Sequence, residues 1–239
     1  MLSREKLKPV LARILPYPIY FHLNSWVATR EILSGRRSEV GLDVVSKYVS
    51  LGDTVVDLGA NFGLYSHHMA RLVGPTGRVH AFEPIPPTLA ILRRTLRRAE
   101  NVSIHPEAVG EKSGHADFLM PVGNHVPLMG ETHRGNGEEG IPYRCQMCTL
   151  DEVLKDEVSF IKADIEGAEL FAFRGAERIF ARSRPTVYCE VIARHLARFS
   201  LTPEDVFSFF ESRGYCTMTH DGTPRGGDAA YLFIHKSRG

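Results

Sequence analysis

Thr54-Val55-Val56-Asp57-Leu58-Gly59-Ala60-Asn61-Phe62-Gly63 decides the fold. Its first five residues read as a buried strand, Gly59 opens a tight turn, and the pattern from Leu64 to Leu72 reads as a helix. Glycines at 59 and 63 allow close approach, because a Cβ at either place would hold a ligand off the main chain. A strand, glycine turn and helix in this order is a place where something binds.

Working outward, short apolar runs alternate with helical patterns. Arg78 to Phe82 predicts a second strand, Thr88 to Ala99 a helix, Val102 to His105 a third strand and Ala116 to Leu119 a further short one. Val158 to Ala163, a helix from Ala168 to Phe180, and Pro185 to Val191 continue the alternation. Thr202 and Pro203 have the chemistry of a helix start, with Gly214 ending that helix. Tyr215 to Thr219 and Ala230 to His235, separated by a turn-rich segment, predict an antiparallel hairpin. The expected fold class is α/β, a seven-strand, mostly parallel sheet with helices on both faces. The expected organisation is a helical extension over 1–50 and one domain over 51–239, with an aperiodic insertion near 121–147 read as a lid.

Composition bounds the function. The chain has 239 residues, 43% hydrophobic and 24% charged, with a formal charge of +1, which excludes disorder and fibrous classes. No global positive field marks a duplex-binding protein, so nucleic acid is not an expected partner. Locally, residues 1–40 hold seven basic side chains against Glu5, Glu31 and Glu39, interleaved with Tyr17, Tyr20, Phe21 and Trp26. A solvated arm is the plain reading of that segment, and peripheral contact with an anionic membrane is the alternative. The pairs Arg93-Arg94 and Arg97-Arg98 likewise read as a solvated helix face. No apolar run is long enough to span a membrane and no signal peptide is evident, so a cytoplasmic location is expected. Cys145 and Cys148 form a lone C-x-x-C, where a structural zinc site needs two such pairs.

The ligand follows from the turn's departures from the dinucleotide pattern. G-x-G-x-x-G is absent, Asn61 stands where its second glycine would be, and Asp57 places negative charge beside the turn. That charge disfavours a pyrophosphate and favours an ammonium or sulfonium group. Glu83, 24 residues after Gly59, suits a ribose diol, but nucleotide oxidoreductases use such an acid too. An NAD(P)-dependent oxidoreductase, or a catalytically silent scaffold that keeps the fold, therefore stands as the alternative on these residues alone.

Asp57-x-Gly59-Ala60-Asn61-x-Gly63, Phe82-Glu83-Pro84 and Ile161-Lys162-Ala163-Asp164-Ile165-Glu166-Gly167-Ala168-Glu169, in that order, resemble the FkbM family of S-adenosylmethionine-dependent methyltransferases. Thr149-Leu150-Asp151 and Arg174-Gly175-Ala176 are similar to further blocks of that family. The resemblance implies a class I methyltransferase, Rossmann-like fold, S-adenosyl-L-methionine as cofactor, and O-methylation of a sugar, glycolipid or other small natural product. Carried over by position, it places Asp57, Gly59, Ala60, Asn61 and Gly63 at the methionine end, Glu83 at the ribose, and Glu107 and Ala108 at the adenine.

Methyl transfer is an in-line displacement, so holding acceptor and methyl collinear supplies much of the catalysis, and an alcohol acceptor must also lose a proton. Asp164 and Glu190, each ending a predicted strand, are the expected catalytic acids at the carboxyl edge of the sheet. His195 is a further candidate, against the plainer reading of a surface histidine. Glu166 and Glu169 read equally well as acids at a helix N-terminus. A magnesium ion held by Asp164, Glu190 and an oxygen-rich acceptor is compatible with these residues but not required by them. Residues 1–50, 121–147 and 192–228 carry no transferable motif and are expected to select the acceptor.

Overall fold

The structure is a computed structural model that describes residues 16–123, 126–127, 133–134, 140–219, 225 and 227–238. Two helices, α1 (Tyr17–Leu33) and α2 (Gly41–Tyr48), precede β1 (Thr54–Leu58). Then follow α3 (Leu64–Val73), β2 (Arg78–Phe82), α4 (Pro86–Thr95) and β3 (Val102–His105). The second half supplies α5 (Leu150–Val153), β9 (Phe160–Ala163), α6 (Glu169–Arg174), α7 (Glu177–Ser183), β10 (Thr186–Val191), α8 (Ala193–Ala197) and α9 (Pro203–Glu211). Two last strands, β11 (Tyr215–Thr219) and β12 (Ala229–His235), complete a seven-stranded sheet ordered β11-β12-β10-β9-β1-β2-β3.

Strands β1, β2, β3, β9 and β10 are parallel to their neighbours among themselves. The predicted hairpin forms with β12 antiparallel to both β10 and β11, which leaves β11 as the sheet edge. From β1 the chain builds outward through β2 and β3, whereas β9 and β10 build in the opposite direction. Right-handed crossovers therefore put α3 and α4 on one face and α6 and α7 on the other. The switch falls between β1 and β9, where open sheets of this kind leave a crevice for ligands.

Period-two alternation fills both faces. Val56, Leu58, Ile161 and Val187 pack against Phe173, Phe180 and Phe210. On the other face Val55, Val79 and Phe160 pack under Val45, Met69 and Val73. Helix α1 docks on α4: Thr29 Oγ1 lies 3.4 Å from Thr95 Oγ1, and Arg94 donates to Ser25 Oγ at 3.3 Å.

Two sequence expectations change in detail. The helix predicted over 168–180 is broken into α6 and α7 at Gly175, where an added Cβ would lie 2.1 Å from the Gly110 carbonyl oxygen. Asp151 starts the second piece, its carboxylate accepting from the amides of Arg178 at 2.7 Å and Ile179 at 3.1 Å. The Thr149-Leu150-Asp151 and Arg174-Gly175-Ala176 blocks therefore form one structural clamp.

Of the expected insertion, residues 124–125, 128–132 and 135–139 lie outside the described residues. Residues 140–148, which begin inside the expected insertion, form β8 (Gly140–Cys148), antiparallel to β5 (Gly114–Gly123), with Gly114 opposite Met147 and Pro121 opposite Gly140. Strand β4 (Ala108–Val109) joins β8, while β6 (Val126–Pro127) and β7 (His133–Arg134) join β5. Cys145 is buried beside Ala116, whereas Cys148 packs toward the main core and its thiol is pushed up to about 12 by burial. Among the described residues no helix is long and apolar enough to cross a membrane.

Candidate active site

The glycine turn is fixed from beneath. Asp57 and Lys162 are opposite each other across β1 and β9, and both are buried. Asp57 Oδ2 accepts from the Ser66 hydroxyl at 2.5 Å, and its Oδ1 faces Lys162 Nζ at 3.5 Å. The ammonium donates to the Gly59 carbonyl at 3.0 Å and the Leu58 carbonyl at 3.4 Å, and lies 3.7 Å from Asp164 Oδ2. Burial alone would lower its pKa, but Asp164, Asp57 and Glu39 outweigh that and the net direction is upward. Lys162 is thus a fixed cation that ties the carbonyl side of the turn to two carboxylates.

The turn needs its glycines for packing. Gly59 has φ +74°, and a Cβ there would lie 2.0 Å from the Asp164 carbonyl oxygen. Gly63 has φ +89°, and its missing side chain makes room for Leu92 of α4. Asn61 also adopts a left-handed φ, +49°. Asp57 and Gly63, expected at the methionine end, meet Ser66 and Lys162, and Leu92, respectively.

Glu83 follows β2 and is buried with both carboxylate oxygens occupied. Oε2 accepts from the Asn61 amide at 3.0 Å and Oε1 from the Ile85 amide at 2.9 Å. Burial pushes its carboxyl up to about 7, against the pull of those two amides. Glu83 lines a cavity of ≈ 110 Å³ together with Gly59, Asn61, Glu107, Ala108 and Asp164. Phe82, Ile85 and Phe118 give that cavity apolar walls, and Glu166 is its fourth acid. Among the described residues no basic side chain lines it.

A smaller cavity of ≈ 70 Å³ shares Gly59, Asn61 and Asp164 with the first and adds Ala60. Its charged walls are Arg37, Glu39 and Lys162, so both signs of charge are present. Tyr65 lies there too, its phenol pushed strongly upward by burial and by Glu39, with Lys162 Nζ 5.1 Å from the ring centroid. Sequence reasoning missed this wall. A lysine within the otherwise apolar strand Phe160-Ile161-Lys162-Ala163 was the available signal, because a charge is buried there only when paired.

The carboxyl edge brings three expected catalytic residues together. Asp164 and Glu190 each stand one residue beyond the paired Ala163 and Cys189 of β9 and β10. Burial and the neighbouring Asp164, Glu166 and Glu169 push the Glu190 carboxyl up to about 7. His195 is buried, not the surface residue that was the plainer reading, with Nδ1 3.8 Å from Glu190 and Nε2 3.2 Å from Glu166. Arg194 Nε also donates to His195 Nε2, at 3.2 Å. Burial and Arg198 and Arg194 hold the imidazole below its ordinary value, so it is neutral at pH 7.

The turn that seats His195 also depends on glycine. Gly167 has φ +102°, and a Cβ there would lie 2.4 Å from the His195 carbonyl oxygen. Glu169 is buried and braces this turn, accepting from the amides of Ile165 at 2.8 Å and Gly167 at 3.2 Å. Its role is therefore the structural one of the two read from sequence. Among the described residues no group of three or more His, Cys, Asp or Glu side chains is arranged to hold a metal ion.

Residues 57–216 match the methyltransferase FkbM domain family. No curated protein matches the chain. Among solved structures, methyltransferase FkbM from Methylobacillus flagellatus is 24% identical with a TM-score of 0.53, the alignment covering 76% of this chain and 43% of that one. This chain thus spans less than half the length of that relative. Fibrillarin from Aeropyrum pernix, solved with natively bound S-adenosyl-L-methionine, is 17% identical with a TM-score of 0.51, over 83% of this chain and 74% of that one. An S-adenosylmethionine-dependent O-methyltransferase from Thermotoga maritima is 12% identical with a TM-score of 0.50, over 86% and 69%. These likenesses establish the class I methyltransferase fold.

Proposed function

Because the chain belongs to the FkbM methyltransferase family, we propose that it methylates a hydroxyl of a small, oxygen-rich acceptor, a sugar, glycolipid or other natural product, using S-adenosyl-L-methionine. The cofactor supplies an electrophilic methyl group on a sulfonium. The observation that carries the reading is the charge on the two joined cavities. Among the described residues four carboxylates and no cation line the larger one, which suits an uncharged nucleoside and a sulfonium and opposes a pyrophosphate. The smaller one has a cationic and an anionic wall, which suits the zwitterionic end of an amino acid.

In this reading Glu83 accepts from the ribose diol, Glu107 and Ala108 flank the adenine, and Arg37 and Lys162 face the methionine carboxylate. Asp164, on the wall of both cavities, positions the acceptor, and Glu190 takes its proton. A metal is not needed by this arrangement. Neither the nicotinamide alternative nor the silent scaffold accounts for an acid-lined cavity beside a carboxylate raised to about 7.

Calorimetric titration with S-adenosylhomocysteine, with NAD as control, tests the cofactor assignment without knowledge of the acceptor. Micromolar binding of the first and none of the second is the expected result; the reverse would establish the oxidoreductase. The affinity should also depend on pH through Glu83. A ribose diol donates to the ionised carboxylate, so affinity is full above the folded value of about 7 and falls about tenfold per unit below it. Glu83→Gln should bind weakly with a flat profile between pH 5.5 and 8. A wild-type affinity that stays constant over that range would remove Glu83 from the ribose site.

A further inference from the structure

The geometry points to an anionic lipid surface as the partner of the outer face of α1. Ile19, Leu23, Trp26 and Leu33 recur at i, i+4, i+7 and i+14 and are 54%, 44%, 53% and 50% exposed. That spacing puts them in one stripe along the helix, with Arg30 in the same stripe and its guanidinium 5.3 Å from the Trp26 ring centroid. The stripe is not the core-facing side, which is formed by Ser25, Ala28, Thr29 and Ile32, all buried. Large apolar side chains in a row are costly to leave in water.

Charge identifies the occupant. The helix beside α1 carries Arg93 and Arg94 near its end, with Arg97 and Arg98 just beyond, all exposed. Arg94 reaches α1 at Ser25, so this row flanks the stripe on the side toward which Trp26 and Leu33 lean. An apolar stripe with an interfacial tryptophan and a border of arginines is the pattern of a helix lying in the plane of an anionic bilayer. A second copy of the chain would have to bring the same arginine row against its own kind, which opposes pairing through this face. Past Leu33 the chain runs on to Arg37 and Glu39, on the wall of the smaller cavity. The inference rests on α1 and α4 and is independent of the reaction.

Trp26 is the only tryptophan in the chain, so its fluorescence reports on the stripe alone. Full-length protein mixed with phosphatidylglycerol vesicles should shift its emission to the blue, be quenched by brominated acyl chains, and co-sediment. Phosphatidylcholine vesicles should do none of these. Leu23→Gln should weaken partitioning at least tenfold. Arg93→Gln, Arg97→Gln and Arg98→Gln should each weaken it about fivefold, and 1 M salt should act like their combination. Thermal melting of each variant, all at exposed positions, separates lost binding from lost folding. Equal binding to both lipids, or an unshifted Trp26 with anionic vesicles, overturns the proposal. So does a lipid-free, concentration-dependent shift of Trp26, which would assign the face to a second copy.

Discussion

Lys162→Met is expected to lower the melting temperature by about 10 °C. The substitution keeps the volume of the side chain and removes its charge from a buried position. Asp57 then has Ser66 as a donor but no cation, and the Gly59 and Leu58 carbonyls lose theirs. Breaking a buried pair by deleting one partner costs about 3–5 kcal/mol, because the remaining charge is uncompensated. The double variant Asp57→Asn with Lys162→Met removes both charges and leaves an acceptor for Ser66, so it should recover at least half of the loss. S-adenosylhomocysteine binding should remain weak in both, since the smaller cavity has lost a cationic wall either way. A single variant that melts within two degrees of wild type, or a double variant no better than the single, would show that the pair does not hold the turn.

This pair also marks the limit of what one sequence reveals. The strand, glycine turn and helix around Gly59 were legible because each step is local: β-branched residues, a left-handed glycine, then helical periodicity. Glu83 was legible from its place at the end of the second strand. Lys162 acts across strands, its partners some hundred residues earlier, and only the β1–β9 register brings them opposite. The plainer reading of His195 as a surface residue fails for the same reason: its burial depends on α8 folding against the Gly167 turn, which no local pattern encodes. Strand β8 is a different case. Tyr143, Cys145 and Met147 alternate with Arg144 and Gln146, a period of two that went unused beside the glycines and acids preceding it.

The two halves of the sheet divide the work. The β1–β2 half, with its turn and Glu83, forms one wall of the larger cavity, the side proposed for the nucleoside, and the β9–β10 half carries Asp164, Glu190 and the histidine. Asp164 lines both cavities and lies beside Lys162, a place consistent with the positioning role proposed for it. In the proposed reaction the selection of the acceptor is left to residues 1–50, 121–147 and 192–228, the segments without a transferable motif.

Glu190→Gln is expected to lower turnover by about 10² to 10⁴-fold while leaving S-adenosylhomocysteine affinity within a factor of two or so. A base works best when its pKa lies near the operating pH, and Glu190 is raised to about 7 by burial and by three neighbouring carboxylates. The sign follows directly: the ionised form accepts the proton, so the rate is full above about 7 and falls about tenfold per unit below it. Saturating cofactor removes the separate effect of Glu83 on binding, so the profile of kcat isolates this group. The glutamine variant should be slow and flat with pH. His195→Asn should shift the midpoint of the profile and keep its shape, because the imidazole acts through Glu190. Asp164→Asn should also depress turnover more than cofactor affinity, and the pH profile should persist with its midpoint moved down, since the proton acceptor is intact but has lost a carboxylate that raises it. A Glu190→Gln enzyme that keeps the wild-type profile would move the base elsewhere, and loss of the profile in Asp164→Asn instead would name Asp164.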